Sequence, residues 1–113
     1  MKVYDVLCDI ANSLDIEGLR CPSVVDLVEE AAANRGLYGR RMCSRPIDGS
    51  RLRRMHNGQV QHTNWHESWL HESDEGNFVV DPCFPKKVYP LESYVQECFL
   101  DHENVGLSRV EEP

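Results

Sequence analysis

This sequence lacks an apolar stretch long enough to span a membrane, and it contains no Cys-x-x-Cys pair, internal repeat or low-complexity tract. The missing apolar stretch argues against a transmembrane protein. Its first residues, Met1–Asp5, lead into an acidic amphipathic segment rather than a signal peptide, so cytoplasmic residence is the expectation. The five cysteines are odd in number and widely spaced, which favours reduced thiols over a disulfide framework.

Positive charge is also scarce, with 12 Lys and Arg residues against 19 Asp and Glu residues and a net charge of −7. This balance disfavours nucleic-acid binding. The arginines nevertheless crowd one segment, which we interpret as a solvated strand and loop rather than a ligand-binding patch. They are Arg35, Arg40, Arg41, Arg45, Arg51, Arg53 and Arg54. The length and the 41% hydrophobic content indicate a single globular domain over residues 1–113.

Apolar residues at helical spacing predict three helices. The first extends from Lys2 to Ser13 and the second from Pro22 to Asn34, with Gly36 as the glycine that ends the second. A third helix is expected over Leu91–Asp101. The last residues, His102–Pro113, resemble a frayed tail.

The region between the second and third helices reads as an antiparallel sheet. Asn57-Gly58 is a strong two-residue hairpin signal, and residues 44–50 are expected to form a loop. The predicted strands are Leu37–Cys43, Leu52–His56, Gln59–His62, His66–Glu72 and Asn77–Asp81. This order of elements predicts an α+β fold in which N-terminal helices pack on an antiparallel sheet.

Cys21 is the candidate nucleophile because it stands at the start of the second predicted helix. Thiols attack as thiolates, and the unpaired N–H groups and dipole of a helix N-terminus favour that form. The alternative is a small buried cysteine without chemistry, since free cysteines are commonly buried.

A cysteine nucleophile needs a base within hydrogen-bond reach and a third group that orients the base. His62, His66 and His71 are the candidate bases, and Asp81, at the end of an apolar strand, is the candidate carboxylate. Alternate strand residues share a face, so His66 and His71 should point to opposite sides. Asp81 follows His66 by 81 − 66 = 15 residues and His71 by 81 − 71 = 10 residues, and a hairpin can close either interval.

Three blocks in this order resemble the catalytic core of the transglutaminase-like superfamily, a branch of the papain-like fold. The first is Cys21-Pro22-Ser23-Val24, and the second, residues 34–42, is similar to the Arg-x-x-Gly-Ile-x-Ala-Arg pattern of the family. The third combines His66-Glu67-Ser68-Trp69 with Val79-Val80-Asp81-Pro82 and is similar to the His-x-Trp-x-Glu and Val-Asp-Pro strands. Two residues rather than one separate His66 from Trp69, which predicts either a bulge or a different histidine as the base.

The resemblance implies a triad of Cys21 as nucleophile, His66 as base and Asp81 as orienting carboxylate. It implies thiol-dependent acyl transfer or hydrolysis on a peptide or glutamine-type amide, as in a protease, deamidase or transglutaminase, with no cofactor or metal. The expected partner is a protein or peptide substrate, with neither nucleic acid nor membrane involved. The candidates for substrate contacts are Trp65, Trp69 and Arg40.

Two other classes of function compete with this interpretation. The first is a zinc site, for which His62, His66 and His71 with Cys83 or Asp81 supply enough ligands. The second is a catalytically inactive binding module that presents the arginines and a tryptophan as its contact surface. At least one of the two tryptophans is expected in the core.

Overall fold

Two N-terminal helices lie where the apolar periodicity predicts them. A computed structural model describes residues 2–56 and 58–110 of the chain. Helix α1 (Val3–Ser13) buries Leu7 and Ile10, and helix α2 (Cys21–Ala33) begins at the cysteine itself. Gly36 ends α2 with a φ of 75°, the left-handed conformation that glycine adopts without steric penalty.

A five-stranded antiparallel sheet forms the centre of the domain, with strands in the order β6-β5-β4-β1-β7, and a separate hairpin pairs β2 with β3. The strand bounds are β1 (Arg40–Pro46), β2 (Leu52–His56), β3 (Gln59–Thr63), β4 (His66–Ser73), β5 (Gly76–Val80), β6 (Val88–Pro90) and β7 (Val105–Arg109). The predicted hairpin is present, although Asn57 of its turn lies outside the described residues.

The sheet separates two apolar clusters. One cluster packs α1 and α2 against Trp69, Val80 and Val88. The other packs helix α3 (Leu91–Cys98) and Leu52 of the hairpin against Leu70 and Val79. Adjacent residues of β4 and β5 supply opposite faces because strand side chains alternate. The predicted α+β architecture with helices on an antiparallel sheet is therefore confirmed.

The C-terminal region corrects the predicted frayed tail. A short 3-10 helix, His102–Asn104, leads into β7, which pairs with β1 from Met42↔Arg109 to Pro46↔Val105. This pairing extends β1 through residues 44–46, which had been expected in a loop. No local sequence pattern predicts β7 or the extension of β1, because both depend on contact between distant parts of the chain.

Helix α3 is three residues shorter than the predicted Leu91–Asp101. Phe99 is extended and buried in the second cluster, and the N–H of Leu100 donates to the carbonyl of Arg53 on β2 at 2.9 Å. Tertiary contacts with the β2–β3 hairpin therefore end this helix early. Among the described residues, no helix combines the length and the hydropathy that crossing a membrane requires.

Candidate active site

Cys21 is the first residue of α2, and Pro22 follows within the first turn. Proline fits there because the N–H groups at the start of a helix have no partner within it. The half-buried Cys21 side chain lines a cleft of about 550 Å³, which the β2–β3 hairpin borders through Arg54 and His62. The nucleophile candidate is thus reachable from solvent and stands at the N-terminal end of a helix.

His66 and Asp81 form a buried pair beside that cleft. The two side chains are 3% and 1% exposed, and Nε2 of His66 donates to Oδ2 of Asp81 at 2.7 Å. Tyr94 of α3 donates its hydroxyl to the same oxygen at 2.6 Å, and the N–H of Cys83 donates to Oδ1 at 3.2 Å. The carboxylate is therefore held on both oxygens, as a buried charge requires.

Strand register explains why Asp81 meets His66. The β4–β5 ladder pairs Trp69 with Val80, so Asp81 follows directly after the ladder, opposite Ser68. His66 lies two residues from Ser68 on the same face, which makes it a diagonal neighbour of Asp81. The bulge, one of the two explanations offered for the spacing between His66 and Trp69, is absent, because β4 pairs with β1 residue by residue from Ser44↔His66 to Arg40↔Leu70. His66 nevertheless meets Asp81 without it.

Cys21 lies near this pair, since Cys21 and His66 line the same cleft. Burial lowers the pKa of His66, but the charge and hydrogen bond of Asp81, with a smaller contribution from the neighbouring Cys21, raise it on balance from 6.5 to about 9. Because Asp81 occupies Nε2, Nδ1 is the ring nitrogen left for the thiol. The edges of two aromatic rings enclose the imidazole, with centroids 5.3 Å away for Phe84 and 6.1 Å away for Phe99.

The other two candidate bases lie elsewhere. His71 faces the opposite side of the sheet, as predicted, where it stacks on Trp69 and donates from Nδ1 to the carbonyl of Tyr38 at 2.7 Å. The exposed His62 of β3 lines the cleft. The structure therefore brings together Cys21, His66 and Asp81, and separates His71 from them.

The structure places the three residues predicted to contact substrate in different surroundings. Trp65 is 41% exposed and lines the cleft beside His66. Trp69 is completely buried in the core, which confirms that one tryptophan is structural and removes it from the substrate-contact set. Arg40 is the first residue of β1 and lies opposite Leu70, away from the end of β4 that carries His66. Its side chain pairs with Glu72 and does not line the cleft.

Two residues of the site were not anticipated. Tyr94 lies within the predicted third helix, and no pattern in the sequence indicates the bond from its hydroxyl to Asp81. Arg54 was part of the arginine-rich segment, but its position beside Cys21 in the cleft depends on how the β2–β3 hairpin packs. Side chains alternate along β2, so Arg53 and Arg54 point to opposite faces. The sequence does not indicate which of the two faces the cleft.

The predicted three-histidine zinc set does not assemble, because His71 is on the opposite face of the sheet. A different set does, since ligand atoms of His66, Asp81 and Cys83 all lie within 4.8 Å of one another. These donor types suit zinc. A metal bound to Nε2 of His66 would replace its hydrogen bond to Asp81, so metal binding and the hydrogen-bonded pair exclude each other.

Comparisons with known proteins do not extend this description: no family model, no curated protein and no solved structure matches the chain.

Proposed function

We propose that the protein is a thiol-dependent acyltransferase or hydrolase of transglutaminase-like type, with Cys21 as nucleophile, His66 as base and Asp81 as the carboxylate that orients the base. The observation that carries the proposal is the position of His66. Its ring is buried and bonded through Nε2 to Asp81 at 2.7 Å, and it lines the same cleft as Cys21. A base positioned between a nucleophile and a carboxylate is the usual arrangement for covalent acyl transfer.

The first half-reaction would transfer the acyl group to sulfur. Before the attack, the thiol proton of Cys21 passes to Nδ1 of His66, whose pKa is raised to about 9, so that a thiolate–imidazolium pair is the reacting form. The Cys21 sulfur then bonds to the amide carbonyl carbon, and the backbone N–H of Cys21 stabilises the resulting oxyanion. The C–N bond then breaks as the imidazolium of His66 gives its proton to the leaving amine or ammonia. Asp81 stays ionised throughout and stabilises the imidazolium.

The second half-reaction would release the acyl group to water or to an amine. His66 takes a proton from the incoming nucleophile, the new C–O or C–N bond forms, and the C–S bond breaks with return of the proton to the sulfur. These two half-reactions need no cofactor. A protein or peptide amide is the proposed substrate, and the five free cysteines suit a reducing compartment such as the cytoplasm.

Alkylation of each cysteine by iodoacetamide, followed by peptide mass spectrometry, tests the proposal without a known substrate. We expect Cys21 to react fastest at neutral pH, and His66→Ala to slow it while Cys21→Ala keeps the fold. His71→Ala is the matched control, since His71 lies on the opposite face of the sheet. Equal loss of reactivity in both histidine variants, or a Cys21 no faster than Cys8, would contradict the triad.

A zinc site is the second candidate because ligand atoms of His66, Asp81 and Cys83 converge within 4.8 Å. This alternative predicts stoichiometric metal in the purified protein and a lower melting temperature after chelation. Cys83→Ser would remove the metal, whereas under the proposed mechanism it leaves Cys21 alkylation largely intact. Metal-free protein with a reactive Cys21 would eliminate the zinc alternative.

A further inference from the structure

Arg54 places a positive charge in the cleft that holds Cys21. Its Nη2 donates to Oε1 of Gln61 at 3.1 Å, and its guanidinium carbon lies 5.2 Å from the centroid of the Phe84 ring. Its Nη1 is buried and has no hydrogen-bond partner among the described residues. The side chain is therefore held in place, but its donors are incompletely used.

The other half-buried arginines are neutralised within the fold. Arg40 pairs with Glu72, and Arg41 pairs with Asp26. Arg54 is half-buried as well, yet within residues 2–56 and 58–110 it forms no ion pair with a carboxylate. Arg20 also lines this cleft without an ion pair, but it is exposed, whereas the guanidinium of Arg54 is partly withdrawn from solvent.

Asp81, the buried carboxylate of the site, does not pair with Arg54. Asp81 is already engaged through Oδ2 by His66 and Tyr94, and through Oδ1 by the N–H of Cys83. The charge of Arg54 is thus left for something that enters the cleft.

We propose that Arg54 forms an anion subsite that binds a carboxylate of the substrate next to the acyl group attached to Cys21. This inference rests on the proposed function and narrows its substrate class to carboxylate-bearing amides. A guanidinium suits that role because its planar fork can donate two parallel hydrogen bonds to one carboxylate. The carboxylate belongs either to the C-terminus of a peptide or to an acidic side chain.

Two alkylating agents that differ by one charge test the subsite. Iodoacetate and iodoacetamide form the same C–S bond with displacement of iodide, but only iodoacetate carries a carboxylate. The quantity to measure is the ratio of their rates at Cys21, in wild type, Arg54→Met and Arg51→Met. Methionine preserves the aliphatic contact with Phe84, and Arg51→Met is the matched control because this exposed arginine lies outside the cleft.

We expect Arg54→Met to lower the iodoacetate-to-iodoacetamide ratio about tenfold or more, the effect of losing one charge-assisted hydrogen bond. Arg51→Met should change the ratio less than about twofold, as exposed charges contribute little. Comparison between variants is essential because a protonated His66 also attracts iodoacetate in every one of them.

The outcomes separate the two proposals. A ratio unchanged by Arg54→Met, with Cys21 still reactive, overturns the anion subsite and leaves the proposed function standing. A wild-type Cys21 slow towards both reagents overturns the proposed function, and the subsite with it.

Protection experiments on wild type keep the inference testable if Arg54→Met does not fold. Cys21 should be protected from iodoacetamide by N-acetylglycine if the subsite takes a terminal carboxylate, or by the α-amide of N-acetylglutamate if it takes a side-chain carboxylate. The diamide N-acetylglutamine amide is the neutral control. Equal protection by the neutral control and by both acids would overturn the subsite.

Discussion

Replacing His66 with glutamine should change how the stability of the protein depends on pH. In the folded protein the pKa of His66 is raised from 6.5 to about 9, chiefly because Asp81 outweighs the effect of burial. The unfolded chain releases the His66 proton near pH 6.5, whereas the folded chain keeps it until about pH 9. Between these values the folded state binds more protons, so its stability must fall as pH rises.

The size of this loss of stability follows from the difference between the pKa values of His66 in the unfolded and folded chain. A difference of 9 − 6.5 = 2.5 at 1.36 kcal/mol for each pKa unit amounts to roughly 3 kcal/mol. The contribution of protonated His66 is fully present below pH 6.5 and is lost by about pH 9. Because the side chain is only 3% exposed, solvent screening reduces this figure little.

Urea unfolding of wild type, His66→Gln and His62→Gln under reducing conditions, at intervals from pH 6 to pH 10, measures the effect. The unfolding free energy of wild type relative to His66→Gln should fall by about 3 kcal/mol across the interval. His62→Gln should parallel wild type, because that exposed histidine lacks the buried carboxylate partner. A constant or rising difference between wild type and His66→Gln would refute the assignment of a charged, carboxylate-bound His66.

Three other predictions concern the surroundings of the site. Tyr94→Phe removes the hydroxyl that donates to Asp81 at 2.6 Å and should cost about 2 kcal/mol of unfolding free energy, measured by urea titration; no loss would mean that the bond contributes nothing. Gly39→Ala should destabilise the protein by about 2 kcal/mol or more, because a Cβ there would lie 2.7 Å from the Trp69 ring; a melting temperature equal to wild type would contradict this packing. Deleting residues 105–113 should lower the melting temperature and expose the edge of β1 to association, which light scattering would detect; a stable monomer would show that β7 is dispensable.

Local patterns in the sequence were sufficient for the helices on one side of the site. The apolar spacing of α1 and α2 is set by neighbouring residues, and Pro22 and Gly36 mark the two ends of α2 with known stereochemical preferences. The placement of Cys21 at a helix N-terminus could therefore be predicted. So could the opposite orientations of His66 and His71, which depend only on alternation along one strand.

The choice between the two histidines required the register of β4 against β5. Ser73 pairs with Gly76, and that tight turn places Asp81 opposite Ser68, on the face of His66 and away from His71. A shift of one residue would have moved Asp81 to the other face. Register depends on cross-strand packing and on the turn, so the sequence alone left both pairings open.

Only the tertiary structure decided the rest of the site. Tyr94 reaches Asp81 from α3, Arg54 reaches the cleft from the β2–β3 hairpin, and β7 joins the sheet from the end of the chain. Each contact joins segments distant in sequence, and each depends on side-chain packing rather than on a local conformational preference. The sequence by itself therefore determined which residues had the chemistry for a thiol-based site. The packing of three distant elements determined which of those residues lie together.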